Sequence, residues 1–164
     1  MASVLVTAAI PESALAILKE AGLEIDVYTG SGLITKEELV KRIVGKDYLI
    51  TPLSTQVDKD VIDADPNLKI IANYGAGFNN IDAAYARQKG IPVTNTPEVS
   101  TVSTAEVTTG LMITLAHRMV EGDKLMRTKG FDGWSPLFFL GHELSGKTLG
   151  IVAVSYTHLT LPTN

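Results

Sequence analysis

The chain has 164 residues, a formal net charge of −4, 45% hydrophobic and 20% charged residues, and no cysteine. That length suits one ordinary domain, or one domain and a piece of a second, and the composition is globular, neither disordered nor fibrous. The acidic balance argues against a nucleic-acid binder, and the lack of cysteine excludes a disulfide scaffold, a zinc ribbon and a thiol nucleophile.

No apolar run approaches the ~20 residues of a membrane span, and the amino terminus carries no basic leader, so a cytoplasmic protein is expected. Short β-branched runs alternate with helical patterns, which predicts an α/β fold with a parallel sheet. The first strand is expected over residues 4–7. Pro11 opens a helix where its missing N–H is no loss, and Gly22 stops it, with Leu15, Ile17, Leu18 and Ala21 on its apolar face. A second strand follows over 24–28. Thr35 and Glu38 form a capping box flanked by Ile34 and Leu39, and the helix it opens runs to Gly45. Residues 48–51 read as the third strand, 58–64 as a short helix ended by Pro66, and 68–72 as the fourth strand. Asp82 caps a helix closed by Gly90, and 92–94 form a short fifth strand.

Asn95-Thr-Pro97 then breaks the rhythm. Residues 101–127 read as one long helix with Val107, Leu111, Leu115, Met119 and Val120 on a buried stripe. Such a length is well above the globular mean, so the helix is expected to lie between two domains. Residues 130–141 form an aromatic loop, and 147–152 are expected to start another buried strand.

One turn suggests chemistry. Gly75-Ala76-Gly77 follows the fourth strand at its carboxyl end, where ligands gather in open α/β sheets. Backbone N–H groups in a glycine turn can anchor a carboxylate, since no side chain blocks the approach. On the residues alone, it is equally a tight strand-to-helix connection, with Gly77 expected at positive φ. A dinucleotide fingerprint is excluded, because Asn80 stands where a third glycine is needed. The loop Thr51-Pro-Leu-Ser-Thr55 should face the same cleft, and it reads equally as an ordinary capping loop.

Four blocks together resemble the D-isomer-specific 2-hydroxyacid dehydrogenases. They are Asn73-Tyr-Gly-Ala-Gly-Phe-Asn-Asn-Ile-Asp82, Lys89-Gly-Ile-Pro-Val-Thr-Asn-Thr-Pro97, Thr104-Ala-Glu106 and Phe139-Leu-Gly-His-Glu-Leu-Ser-Gly-Lys-Thr-Leu-Gly-Ile-Val152. The segment Trp134-Ser-Pro-Leu-Phe-Phe-Leu-Gly141 looks closest to the glyoxylate, hydroxypyruvate and 2-ketogluconate reductase group. The resemblance implies a flavodoxin-like substrate domain over 1–96 and an incomplete NAD(P)-binding Rossmann domain over 97–153. It implies hydride transfer between NAD or NADP and a small 2-oxo or 2-hydroxy acid, in a homodimer that contacts its partner through the long helix. Neither nucleic acid, membrane nor metal is expected.

By the same resemblance, Leu53, Ser54, Gly75, Ala76 and Gly77 bind substrate, with its carboxylate on the Ala76 and Gly77 amides. Thr104 then lies near the nicotinamide, and Trp134 reaches into the partner subunit's active site. On the residues alone, Thr104 is equally a helix-start residue and Trp134 an exposed aromatic. Neither His117 nor His142 matches the family's catalytic histidine. That histidine, its arginine and its acidic partner are expected downstream, so no catalytic residue is expected in this chain.

Phosphite dehydrogenase, 3-phosphoglycerate dehydrogenase and a NAD-sensing corepressor share the blocks and stay open as alternatives. A receiver domain does not, since Thr7-Ala8 and Thr51-Pro52 stand where it needs acidic residues. After Val152 the family continues with Gly-x-Gly-x-x-Gly, whereas Ala153, Ser155 and His158 occupy those places. Residues 154–164 resemble translated sequencing-adapter sequence. They are expected to be a foreign tail, and the fragment is expected to be inactive alone.

Overall fold

Five short strands carry the first half of the chain in a computed structural model that describes residues 1–152. They are β1 (Ser3–Val6), β2 (Glu24–Val27), β3 (Tyr48–Pro52), β4 (Ile70–Tyr74) and β5 (Val93–Thr94). They pair in the order β2-β1-β3-β4-β5, every pair parallel. This is the flavodoxin-like order of doubly wound sheets, as the sequence leads one to expect. The chain divides into two compact units, Met1–Pro97 and a second beginning at Glu98. The expected foreign tail lies outside the described residues.

The helices of the first unit are α1 (Glu12–Glu20), α2 (Lys36–Ile43), α3 (Lys59–Asp63) and α4 (Ala83–Gln88). Leu5, Leu49 and Ile71 project from the sheet into one cluster with Leu39 and Ile43 of α2, Val61 and Ile62 of α3, and Ala86 of α4. Parallel crossovers are right-handed, and β1 to β2 steps opposite to the later connections. Hence α1 covers the other face, where Val4 and Val6 are buried.

Local signals set most boundaries. Thr35 accepts the Glu38 N–H at 3.3 Å, Asp58 caps α3, and Asp82 accepts the Tyr85 N–H at 3.0 Å. Asp65 works differently, across the fold. It is buried, and its carboxylate accepts the Asn67 N–H at 2.7 Å and the Gly45 N–H. The Asn67 N–H foremost holds this carboxyl below its ordinary range, against the effect of burial. A depressed folded value means stability is present above the unfolded pKa near ~4 and is lost as pH falls through the folded one. Asp65→Ala should therefore lower the unfolding free energy by about 1–3 kcal/mol at neutral pH, with the deficit shrinking below about pH 4. Urea titrations at the two pH values measure this, and an unchanged deficit in acid would contradict it.

Five expectations are corrected. Ile17 points outward from α1, which presents half-buried Leu15 and Leu18 inward, three residues apart on one face. Strand β4 begins two residues late, because its ladder with β3 starts at Ile70.

The expected single helix over 101–127 is two, α5 (Thr101–Ala116) and α6 (Met119–Thr128). Arg118 between them has φ +53°. Its guanidinium lies 4.4 Å from the Phe139 ring centroid, it donates to Leu140 O at 3.4 Å, and it pairs with Glu121. The His142 N–H closes on Ala116 O at 2.7 Å. Contacts from residues 139–142 thus fix the break. The expected buried stripe is exposed, with Val107, Leu111, Leu115, Met119 and Val120 all largely open. Apolar periodicity records a face that can be covered and does not say by what.

Residues 147–152 form no strand, and Leu149 and Ile151 are exposed. A strand exists only through its ladder, and no described segment pairs with this one. None of the helices is long and apolar enough to cross a membrane, among the described residues.

Candidate functional site

Strands β3 and β4 pair as far as Pro52 and Tyr74, so the chain leaves both at the same edge of the sheet. The segment after β3 carries Leu53 and Ser54, and the segment after β4 carries Gly75, Ala76 and Gly77. The structure brings Leu53 against Gly75 and Gly77. Leu53 lies over Gly75, where an added Cβ would come within 2.6 Å of the leucine Cγ. Ser54 is exposed beside it.

Gly77 corrects an expectation. Neither it nor Gly75 has a positive φ, and a Cβ at Gly77 would meet nothing nearer than Leu53 Cδ2 at 3.9 Å. Gly75 is required by packing, whereas Gly77 is required by neither conformation nor packing. Gly75→Ala should cost about 1 kcal/mol of stability as half-exposed Leu53 is displaced, and Gly77→Ala less than about 0.5 kcal/mol. Equal costs in urea unfolding would refute this reading of the two glycines.

Buried polar groups stand behind the turn. Asn80 Nδ2 donates to Thr55 O at 2.9 Å, Asn73 Oδ1 at 3.1 Å and Pro52 O at 3.3 Å. It therefore ties the segment after β3 to the segment after β4. The Thr7 hydroxyl meets those of Thr51 at 3.2 Å and Thr55 at 3.1 Å, all three residues buried. These bonds hold the strand ends in one arrangement, and they leave Asn80 Oδ1 buried with no partner among the described residues.

The turn's own carbonyls are taken up by Thr96 N–H, Asn95 Nδ2 and Asn73 Nδ2, while the Ala76 and Gly77 N–H groups meet no acceptor among the described residues. Residues 73–80 carry no charged side chain, so N–H groups left without an acceptor, those of Ala76 and Gly77 among them, are what can attract an anion there. A small cleft of about 80 Å³ lies alongside, lined by Phe78, Ala83, Val93, Thr94 and Asn95.

Thr104, in the first turn of α5, and Trp134, 81% exposed in its loop, belong to the second unit. His117 and His142 are exposed there. Among the described residues, no three His, Asp or Glu side chains cluster as metal ligands. Sequence reading took Asn95 only as a breaker and missed its bond to the turn. The available signal was an asparagine ending the strand next to β4.

A flavodoxin-like parallel sheet, with the Ala76 and Gly77 amides free of protein acceptors at its carboxyl edge, defines an α/β domain of the doubly wound class. Residues 4–162 match the family described as D-isomer specific 2-hydroxyacid dehydrogenase, catalytic domain, a range that enters the segment expected to be foreign. A provisionally named 2-hydroxyacid dehydrogenase of Staphylococcus epidermidis is 60% identical over 154 residues, covering 94% of this chain and 48% of its own. The crystal structure of a Thermus thermophilus protein superposes with TM-score 0.81 at 40% identity, over 87% of this chain and 45% of that one. The NADPH-dependent glyoxylate/hydroxypyruvate reductase of Sinorhizobium meliloti, solved with NADP and malonate, gives TM-score 0.71 at 25% identity, over 96% and 48%. The chain belongs to the D-isomer specific 2-hydroxyacid dehydrogenase family. It spans about half the length of the relatives it matches.

Proposed function

We propose that this chain is part of an NAD(P)-dependent oxidoreductase that reduces a small 2-oxo acid of the glyoxylate, hydroxypyruvate or 2-ketogluconate class. In this reading residues 1–96 are the substrate domain and 97–153 the start of the cofactor domain. The carboxylate sits on the Ala76 and Gly77 amides, with Leu53, Ser54 and Gly75 around it. One observation carries the reading: Gly77 lacks a side chain although neither its φ nor its surroundings demand that. An open backbone is what a close-approaching carboxylate requires. The malonate bound by the S. meliloti reductase is likewise a small carboxylate.

The described residues do not build a dinucleotide cradle. The glycine turn has Asn80 in place of a third glycine, and α4 behind it has six residues. The cofactor therefore rests on the family, and Thr104 is the residue here assigned to its nicotinamide end. The exposed apolar residues of α5 supply the dimer contact, and Trp134 reaches the partner subunit's active site. The enzyme is cytoplasmic.

Two assays test this. The 164-residue chain should not oxidise NADH or NADPH with any 2-oxo acid above a no-enzyme control. The protein continued to the length of its relatives should reduce glyoxylate or hydroxypyruvate. Inactivity of that longer protein on every small 2-oxo acid, with cofactor bound, would replace this reading by the corepressor-type binding protein.

A further inference from the structure

Three donors hold the glycine turn from behind. The Thr96 N–H donates to Gly75 O at 3.0 Å, Asn95 Nδ2 to Ala76 O at 2.7 Å, and Asn73 Nδ2 to Gly77 O. In a trans peptide, the C=O of one residue and the N–H of the next point in opposite directions. No described peptide bond is cis. Tying the Gly75 and Ala76 carbonyls to residues 95 and 96 therefore turns the Ala76 and Gly77 N–H groups away from those residues. Consecutive amides aimed to one side form a concavity for an anion.

Asn73 is itself fixed, since its Oδ1 accepts from Asn80 Nδ2 at 3.1 Å. Flipping the Asn80 amide would set oxygen against three oxygens, so its partners decide its orientation. The position that excludes a dinucleotide fingerprint is thus part of the scaffold of the turn. Asn95 differs from these two. It is half-buried at the end of β5 and outside the buried network, and it meets the turn through one amide hydrogen bond.

We propose that Asn95 is a positioning residue for carboxylate recognition. It holds the Ala76 carbonyl so that the Gly77 N–H is already aimed when the anion arrives. It touches no substrate atom and acts through the peptide plane between Ala76 and Gly77. Without it, that plane has to be ordered on binding, and the ordering weakens affinity. The inference rests on the proposed function of the same turn.

Sodium oxalate titrated into the isotopically labelled 164-residue chain tests this, with sodium chloride at matched ionic strength as the control. Dissociation constants come from the amide shifts of Ala76 and Gly77. Asn95→Ala should weaken oxalate about three- to tenfold. It should also move the Gly77 amide signal before oxalate is added, while the thermal midpoint and the signals of β1 and α2 stay parental. Asn95→Asp keeps the shape but presents only oxygen to Ala76 O, so it should bind oxalate no better than Asn95→Ala. If the parent binds oxalate at the turn and both variants bind it as tightly, the positioning role is wrong and the site stands. Affinity lost together with thermal midpoint also overturns it, since Asn95 would then be structural. A parent whose Ala76 and Gly77 amides ignore oxalate sinks the site itself.

Discussion

Leu49→Ala is expected to bring the first unit close to unfolding at room temperature. Leu49 lies on β3, the central strand, paired with β1 on one side and β4 on the other. It is 0% exposed and belongs to the cluster between the sheet and α2, α3 and α4. Truncating a buried leucine costs about 2–5 kcal/mol, through lost transfer energy and the cavity left behind. Small domains are stable by only about 5–15 kcal/mol. The thermal midpoint should fall by on the order of 10–30 °C for a unit of this size. Leu53→Ala is the comparison, since Leu53 is 50% exposed and its loss should stay near about 1 kcal/mol. Similar midpoints for the two variants would mean the core is not where the sheet places it.

The second large effect is on binding. In the protein continued to the length of its relatives, Gly77→Val should raise KM for glyoxylate about tenfold or more. Each hydrogen bond to a charged group is worth roughly 1.5–3 kcal/mol, and a valine obstructs the approach to the Gly77 amide. The backbone and the Cβ position accept a side chain there. Gly77 has no positive φ, and the space around its Cβ position is open to 3.9 Å. Urea unfolding of Gly77→Ala, which adds only that Cβ, should stay close to the parent, and the cofactor affinity of a folded Gly77→Val should not move. A parental KM in a folded, cofactor-binding variant would make the turn structural only.

Particular residues explain what the sequence could and could not disclose. The caps at Thr35 and Asp82 were legible because each depends on neighbours within a few residues, and the strands of the first unit showed as short β-branched runs between turn signals. Fold class was legible for the same reason, since alternating short elements prescribe a parallel sheet. The break at Arg118 was not, because Phe139 and Leu140, more than 20 residues away, hold it there. Residues 147–152 look like a strand by composition, yet composition does not furnish a pairing partner.

The site divides along the same line. Glycine spacing pointed to the turn, and the family blocks pointed to its use. The bond from Asn95 to Ala76 was invisible, because only the pairing of β4 with β5 brings residues 19 apart together. The reason for glycine at 77 was also misjudged, since φ cannot be read from a residue type alone.

The claim that the Ala76 and Gly77 amides receive a carboxylate is tested most directly by a crystal structure of this chain with oxalate. The account predicts a carboxylate with oxygens roughly 2.7–3.2 Å from both backbone nitrogens, and Leu53 beside it. Oxalate seated elsewhere, with both amides left to water at saturating concentration, would contradict it.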